Sequence, residues 1–387
     1  MSSLLFGSDK KRSSQSSSEI KPCYFTEAGR MGPDHKSNVE RGCLVLGVGN
    51  PLLDMSAKIE KSLLEKYQVK SGDIILAEEK HFGVYDELAA KEETEYIAGG
   101  ATQNSMRVCA WMLKGKRENA VAFAGCVGED DQAKKLQDCA ADAGVTVAYM
   151  HDKTTPTGVC ACLIDDTNER TLITRLDAAN NYAKSHLESD ELQTLLLSAK
   201  LVYSAGFFLT SGGPDCTKLL GEHCVKYHKR YCLNLSAPFI AQFFMSQLDA
   251  TMPYVDILFG NETEAATLGE QKGWGSDLKV IALNAAAMPK ASGTYARIVV
   301  ITQGAQATIV AQSNTVTTYP VPPVQKAKIV DTNGAGDAMV GGFLSRFVLD
   351  ESIENCVKAG HWAAATIIQR SGCTMPPKCT YGHMMPF

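Results

Sequence analysis

The stretch Asp331-Thr-Asn-Gly-Ala-Gly-Asp337 follows the apolar residues Ile329 and Val330 and precedes a helical pattern. Two glycines before a helix leave successive backbone N–H groups exposed, and these groups favour an anion at the helix N-terminus. An acidic side chain in the same turn would repel that anion, unless it accepts a proton from an attacking hydroxyl. The combination is typical of phosphoryl transfer to an alcohol.

A simpler interpretation is a turn at Asn333 and Gly334, with Asp337 stabilising the helix start. The remaining sequence contains no GxxxxGK[ST] P-loop and no HRD or DFG motif. A phosphotransferase with this sequence therefore belongs neither to the P-loop class nor to the protein kinases. The GVGNPL turn lacks the third glycine of GxGxxG, which argues against a nicotinamide oxidoreductase.

Around this stretch, apolar runs of strand length alternate with segments of helix length. The predicted strands are 44–49, 120–127, 201–205, 231–235, 257–260 and 297–302, and the predicted helices are 103–113, 130–143, 215–228, 240–248, 262–270, 279–287, 337–348 and 356–370. This order predicts a parallel sheet with helices on its faces and ligands at the carboxyl ends of its strands. Residues 52–100 and 157–178 interrupt it with β-like segments, which predict a small second β-layer. In the later segment, two strands would pair across the turn 165–169.

The composition indicates a globular protein with a large core, because 45% of the 387 residues are hydrophobic and 21% are charged. A formal net charge of -5 argues against nucleic acid as a partner. The absence of any apolar window of ~18 residues, and a polar start, predict neither a membrane span nor a secretory signal. Residues 1–42 are predicted to form a disordered tail, whose Lys10-Lys11-Arg12 cluster is either a weak nuclear address or solvated charge.

The thirteen cysteines include no CxxC pair. The nearest two, Cys160 and Cys162, have strand spacing, so the pattern indicates neither a zinc site nor a disulfide framework. A reducing compartment, the cytoplasm, is the expected location.

Six motifs, in order, resemble the ribokinase-like (phosphofructokinase-B type) carbohydrate and nucleoside kinase family. They are GNPLLD (49–54), AGGATQN (98–104), AGFFLT (205–210), NLSAPF (234–239), FGNETEA (259–265) and DTNGAGDAMVGGF (331–343). The resemblance covers about residues 44–378 and implies one α/β kinase domain over 43–387. That domain would have three α/β/α layers around a mostly parallel sheet, with a discontinuous β-rich lid from about 52–100 and 153–178.

The resemblance is strongest to the members that phosphorylate adenosine at its 5′-hydroxyl with ATP and Mg²⁺, giving AMP and ADP, and it implies a monomer. A kinase for another nucleoside or a sugar, and a non-catalytic nucleoside-binding protein, remain alternatives. The resemblance makes Asp337 the general base and assigns the anion hole to the N–H groups of Gly334, Ala335, Gly336 and Asp337. A carboxylate with the reference pKa of ~4 would be ionised at neutral pH without tuning.

The resemblance also assigns the substrate sites. Arg170 would reach from the lid to the transferring phosphate, although a solvated hairpin tip is an alternative. Asp54 and Asn104 would bind the ribose beside Gly99 and Gly100, which would also act as a hinge. The base would lie between Phe207 and Phe239, and the remaining predicted adenosine contacts are Asn50, Leu52, Leu76, Cys160 and Leu172.

On the ATP side, the resemblance implies that Asn261 and Glu264 organise Mg²⁺, largely through water. The same NxxE spacing is also typical of a helix capping box. Further ATP contacts would be Thr302, Gly304, Asn333 and His361, although a lone helical histidine is commonly a core residue. The departures from the family pattern are Ile74, Thr174, Arg175, Asp177 and Met339, and they bear on nucleoside selectivity.

Overall fold

The computed structural model describes residues 42–114, 117, 119–167, 169–211 and 213–382. The predicted disordered tail lies outside these residues, apart from Gly42. The strands are, in chain order, β1 (Val45–Val48), β2 (Leu52–Lys58), β3 (Ile74–Leu76), β4 (Glu95–Gly99), β5 (Val121–Gly128), β6 (Val145–Asp152), β7 (Val159–Ile164), β8 (Arg170–Arg175), β9 (Leu201–Ala205), β10 (Arg230–Asn234), β11 (Ile257–Asn261), β12 (Ile298–Gln303), β13 (Gln306–Gln312) and β14 (Thr315–Tyr319).

The helices of the described residues follow the strands in regular alternation through most of the chain. They are α1 (Lys61–Lys66), α2 (Gly83–Ala89), α3 (Ala101–Leu113), α4 (Asp131–Asp142), α5 (Lys184–Leu187), α6 (Asp190–Ser198), α7 (Gly213–Lys226), α8 (Pro238–Phe243), α9 (Met245–Thr251), α10 (Glu262–Lys272), α11 (Leu278–Ala287), α12 (Ala335–Phe347) and α13 (Ile353–Ile367). None of these helices is both long and apolar enough to cross a membrane.

A nine-stranded sheet forms the centre of the molecule, in the order β14-β13-β12-β11-β10-β9-β1-β5-β6. The strands from β12 to β6 in this order are parallel, and β13 and β14 add an antiparallel edge. Alternate side chains enter two cores: Val45 packs on one face of β1 and Leu46 on the other. Because both faces are covered, the strands read as continuous apolar runs, as the sequence predicts.

Helix α12 packs closely against α3 and α13, because glycines occupy the contact positions. A Cβ atom at Gly341 would overlap the backbone of α3, and one at Gly342 would overlap that of α13. The GG pair of the sequence motif therefore places α12, and the turn before it, against the core.

A second sheet of five strands has the order β3-β8-β7-β2-β4. Strand β7 pairs antiparallel with β8, across the turn that the sequence indicates, and β2 lies between β7 and β4. Its strands come from the two segments that interrupt the α/β alternation. That this sheet moves as a lid remains a prediction.

Several elements differ from the sequence-based expectation. The predicted helix 240–248 is two helices, α8 and α9, which meet at Phe244. Strands β6, β13 and β14 and helices α1, α2, α5 and α6 were not predicted from the sequence, and α1 and α2 lie in the segment 52–100 that was predicted to be β-like. Strand β14 is a partly exposed edge strand with the polar sequence TVTTY, so it lacks the apolar pattern on which the prediction rests.

Arg297 is an uncommon feature of the core, because its side chain is almost fully buried. Its guanidinium donates hydrogen bonds to the carbonyls of Met252, Val255, Ala285, Met288 and Pro289, at 2.6–3.2 Å. Burial lowers its pKa to about 10. The side chain thus provides donors to buried carbonyls of two segments, 252–255 and the C-terminal end of α11 with the residues after it.

We expect Arg297→Met to lower the free energy of unfolding by about 3–5 kcal/mol, because it removes donors from several buried carbonyls at once. Urea denaturation followed by circular dichroism measures this loss. Arg230→Met, which removes a half-buried arginine without these carbonyl contacts, is the matched control. Equal stability of the Arg297→Met and wild-type chains would contradict the role assigned to Arg297.

Candidate active site

A cavity of about 370 Å³ lies at the carboxyl ends of the parallel strands. Its floor contains the last residues of β9, β10 and β11, which are Ala205, Asn234 and Asn261. The second sheet covers it with side chains from β2, β7 and β8. The cavity is therefore enclosed between the two sheets, where ligands bind in open α/β folds.

Most of the residues predicted from the sequence line this one cavity. They are Asn50, Leu52, Asp54, Leu76, Gly100, Asn104, Cys160, Arg170, Leu172, Phe207, Phe239, Asn261, Glu264, Thr302, Asn333, Gly334, Gly336 and Asp337. Gly99, Gly304, Ala335 and His361 do not line it. The fold thus brings together side chains from segments that are as much as 287 residues apart, Asn50 to Asp337.

The turn before α12 has the geometry that its glycines predict. Gly334 is the N-cap of α12 and has a left-handed backbone, with φ +76°. The first N–H groups of a helix have no partner within the helix, and those of Gly336 and Asp337 fall in this first turn. The N–H of Ala335 instead donates to the carbonyl of Thr332 at 3.2 Å, so its predicted role in the anion hole lacks support from this arrangement.

Asp337 lies in the first turn of α12 and faces the cavity. Its Oδ2 accepts a hydrogen bond from Nδ2 of Asn104 on α3, at 3.1 Å. Desolvation raises the pKa of Asp337 to about 7, with Asp54 and Glu264 adding repulsion, while the bond from Asn104 opposes the rise. The expectation of an untuned carboxylate was therefore wrong: the group is balanced between its two protonation states near neutral pH.

Asp54, on β2, is the second carboxylate of the cavity. A Cβ atom at residue 99 would overlap its carboxylate, so a larger residue there would displace the Asp54 side chain. Burial raises the pKa of Asp54 to about 7, whereas Arg170 and Arg107 lower it. Arg107 was missed from the sequence. It donates to the carbonyl of Ala98 at 2.9 Å and to Oδ1 of Asn104 at 3.4 Å, and so orients the amide that contacts Asp337.

Phe207 and Phe239 lie side by side at one end of the cavity. Their ring centroids are 6.0 Å apart and their planes are inclined by 44°. The carbonyl of Phe207 accepts a hydrogen bond from Nδ2 of Asn50 at 3.3 Å, which ties this end of the cavity to the turn after β1. The two rings provide an apolar surface for a flat ring system.

Arg170 crosses from the second sheet to the turn before α12. Its Nε lies 2.6 Å from Oδ1 of Asp331, and the exposed fractions of the two side chains are 10% and 1%. Its Nη1 donates to Oγ of Ser56 at 3.1 Å. Arg170 is therefore a nearly buried cation on the cavity wall, and the alternative of a solvated hairpin tip is wrong.

Asp331 was not assigned a role from the sequence, although it opens the diagnostic stretch. Its carboxylate accepts hydrogen bonds from the backbone N–H groups of Asn333 at 2.9 Å and Gly372 at 2.6 Å, in addition to its ion pair with Arg170. The contact with Asn333 is an Asx turn, which the Asp-x-Asn spacing could have indicated.

Asn261 and Glu264 form a capping box at the start of α10. Oδ1 of Asn261 accepts the N–H of Glu264 at 2.8 Å, and Oε2 of Glu264 accepts the N–H of Asn261 at 3.0 Å. Burial raises the pKa of Glu264 to about 7. Both side chains also line the cavity, so the capping role and a ligand role are compatible. A carboxylate and an amide oxygen fit a Mg²⁺ ion that keeps several of its waters.

Two of the predicted ATP contacts lie elsewhere. The imidazole of His361 is buried on α13 and bonds through Nε2 to the hydroxyl of Thr308 at 2.8 Å. Burial lowers its pKa to about 4. His361 is thus a satisfied core histidine, because α13 packs behind the sheet. Gly304 lies in the exposed turn between β12 and β13, with φ +56°.

The departures from the family pattern separate into two groups. Ile74, Thr174 and Met339 line the cavity, and Oγ1 of Thr174 donates to Sγ of Cys160 at 3.3 Å. Arg175 points to the opposite face of β8, because successive strand residues alternate. It pairs with Asp177 at 2.6 Å and stacks over Tyr85, so neither charge enters the cavity.

Comparison with known proteins identifies the family of the chain. The family model for pfkB family carbohydrate kinases matches residues 61–379. Adenosine kinase 2 of Arabidopsis thaliana is 48% identical over 337 residues, which cover 87% of this chain and 96% of that protein.

Two solved structures are similar over most of their length. Adenosine kinase of Anopheles gambiae, in complex with P1,P4-di(adenosine-5) tetraphosphate, has a TM-score of 0.82 and 44% identity, covering 86% of this chain and 97% of that one. Adenosine kinase of Schistosoma mansoni, in complex with 2-fluoroadenosine, has a TM-score of 0.81 and 32% identity, covering 86% and 97%. These similarities confirm the predicted ribokinase-like α/β fold, and the chain belongs to the pfkB family of carbohydrate kinases.

Proposed function

We propose that the chain is an adenosine kinase, which transfers the γ-phosphoryl group of ATP to the 5′-hydroxyl of adenosine and releases AMP and ADP. The observation that carries this function is the position of Asp337. Its carboxylate faces the cavity in the first turn of α12, is held by Asn104, and lies beside N–H groups that favour an anion. The names and ligands of the relatives support adenosine as the acceptor.

The reaction follows from the arrangement of the cavity. With the base beside Phe207 and Phe239 and the ribose at Asp54, the 5′-hydroxyl would reach Asp337, which takes its proton as the oxygen attacks the γ-phosphorus. The N–H groups of Gly336 and Asp337 would stabilise the equatorial oxygens of the transferring group. The pair of phenylalanines favours a purine nucleoside over a free sugar, because a flat base can stack there.

Arg170 is suited to the phosphate side of the reaction. Its guanidinium is nearly excluded from water and lies beside the anion-binding turn, where its pair with Asp331 holds it in place. Asn261 and Glu264 would hold the hydrated Mg²⁺ of the nucleotide, which when bound neutralises charge on the β- and γ-phosphates. The use of Mg²⁺, the monomeric state, a cytoplasmic location and the hinge at Gly99 and Gly100 all stay predictions.

Asp337→Asn tests the general base. We expect turnover with adenosine and ATP to fall by about 10²–10⁴-fold, because the amide cannot accept the 5′-hydroxyl proton, while adenosine affinity is retained. A coupled ADP-release assay and calorimetric titration of adenosine measure the two quantities. Asp350→Asn, in an exposed loop with φ +61°, is the matched control and should leave both unchanged. Turnover of Asp337→Asn within about threefold of wild type would refute the assignment.

The pH dependence of kcat/KM gives an independent test of Asp337. Because its pKa is raised to about 7 and only the ionised form accepts a proton, kcat/KM should fall as pH decreases through about 7. The hydrogen bond from Asn104 stabilises the ionised form, so Asn104→Leu should move this acidic limb to higher pH. An acidic limb that stays in place in Asn104→Leu would show that another group titrates there.

Asp54 can be tested through the ribose. We expect 2′-deoxyadenosine to have a kcat/KM about 10–100-fold lower than adenosine, since it leaves a partly buried carboxylate without one of its donors. In Asp54→Ala the two substrates should differ much less, because the unpaired group is gone. Initial rates for both substrates and both chains form a double-mutant cycle. Equal kcat/KM for the two substrates in the wild-type chain is the contradicting result.

A further inference from the structure

Two thiols of strand β7 lie beside Asp54 at the edge of the active-site cavity: Cys160 lines the cavity and Cys162 is buried next to it. Cys160 and Cys162 are two residues apart, so both point to the same face of the second sheet. The parallel register of β2 and β7 places Asp54 opposite Cys160. The two sulfur atoms and a carboxylate oxygen of Asp54 all lie within 4.8 Å of one another. The two-residue spacing of the cysteines does not indicate a zinc motif in the sequence. In the fold, it places both thiols on one face of β7, where the neighbouring strand adds the carboxylate of Asp54.

The three groups match one class of metal ion. Two thiolates and a carboxylate suit Zn²⁺ or Cd²⁺, whereas Mg²⁺ prefers oxygen ligands alone. Ligand sulfurs in a tetrahedral zinc site are about 3.8 Å apart, given Zn–S distances of ~2.3 Å, so small side-chain rotations would bring the three atoms into position. Asp54 and Cys160 line the cavity, which provides both an entry path and a fourth coordination position.

The charge of such a site would be balanced by the protein. Two thiolates and one carboxylate carry three negative charges, so a divalent ion leaves a net charge of about -1. Two cations, Arg107 and Arg170, act electrostatically on Asp54. Arg170 also pairs with Asp331 and bonds to Ser56, the residue opposite Cys162 in the register.

We propose that Asp54, Cys160 and Cys162 form a binding site for a soft divalent metal ion, Zn²⁺ or Cd²⁺, which blocks the ribose position. Metal binding at these three residues does not depend on whether the chain catalyses the kinase reaction. The inhibition rests on the proposed function, because Asp54 is the residue for which the metal and the ribose hydroxyls would compete.

The test is titration of the full chain with Cd²⁺. A phosphine reductant keeps the thiols reduced, and a metal buffer sets the concentration of free Cd²⁺. Thiolate–cadmium bonds give an ultraviolet charge-transfer band that reports coordination directly. We expect one Cd²⁺ per chain with this band, and a loss of affinity of at least about 100-fold in Cys162→Ser, since removal of even an outer-shell partner costs 10–100-fold. Cys139→Ser, which removes a half-buried thiol of α4 outside the cavity, is the matched control and should bind Cd²⁺ as wild type does.

Kinase assays complete the test. Cd²⁺ should inhibit competitively with adenosine, and Cys162→Ser should keep wild-type activity but resist inhibition. Absence of the band, equal Cd²⁺ affinity in wild type and Cys162→Ser, or metal binding that adenosine at saturation leaves unchanged would each overturn the proposal. If Cys162→Ser does not fold, Cys162→Ala replaces it. A chain that binds Cd²⁺ through Cys162 but does not bind adenosine would retain the metal site and refute the proposed function instead.

Discussion

The carboxylate of Asp331 connects the three parts of the molecule that form the active site. It pairs with Arg170 of the second sheet, accepts the N–H of Asn333 in the anion-binding turn, and accepts the N–H of Gly372 near the C-terminal end of the described chain. Its side chain is 1% exposed. A buried carboxylate is costly unless it is paired and hydrogen-bonded, so these three segments are held in one arrangement by a single charge.

The cavity next to this interaction brings together three carboxylates that are partly or largely buried. Burial is the main cause that raises the pKa values of Asp54, Glu264 and Asp337 to about 7, and Asp337 also experiences repulsion from the other two. Such an arrangement costs stability in the free protein, but it provides acceptors for substrate hydroxyls and a proton acceptor near its optimal pKa. The same burial strengthens the attraction of Arg170 and the helix N-terminus for phosphate.

The sequence-based predictions succeeded where a signal is local or periodic. The main strands appear as apolar runs because both faces of the sheet are covered, and the NxxE spacing indicates the capping box at Asn261 and Glu264. They failed where tertiary packing overrides the local pattern. Strand β14 is polar and lies at the edge of the sheet beside β13. Arg175 is next to pocket residues in the sequence, but its side chain points away from the cavity and stacks over Tyr85. His361 has a helical position that does not reveal which side of the sheet it faces.

By itself, the sequence determined most of the strands and helices of the large sheet, the glycine turn before α12 and the family to which these motifs belong, because each depends on neighbouring residues and their spacing. Only the tertiary structure decided which distant groups meet. Asn104 and Asp337, 233 residues apart, share a hydrogen bond, and Cys160 and Cys162 join Asp54 on one face. It also decided the protonation of the cavity carboxylates, since desolvation and the fields of distant charges depend on the folded surroundings and not on spacing along the chain.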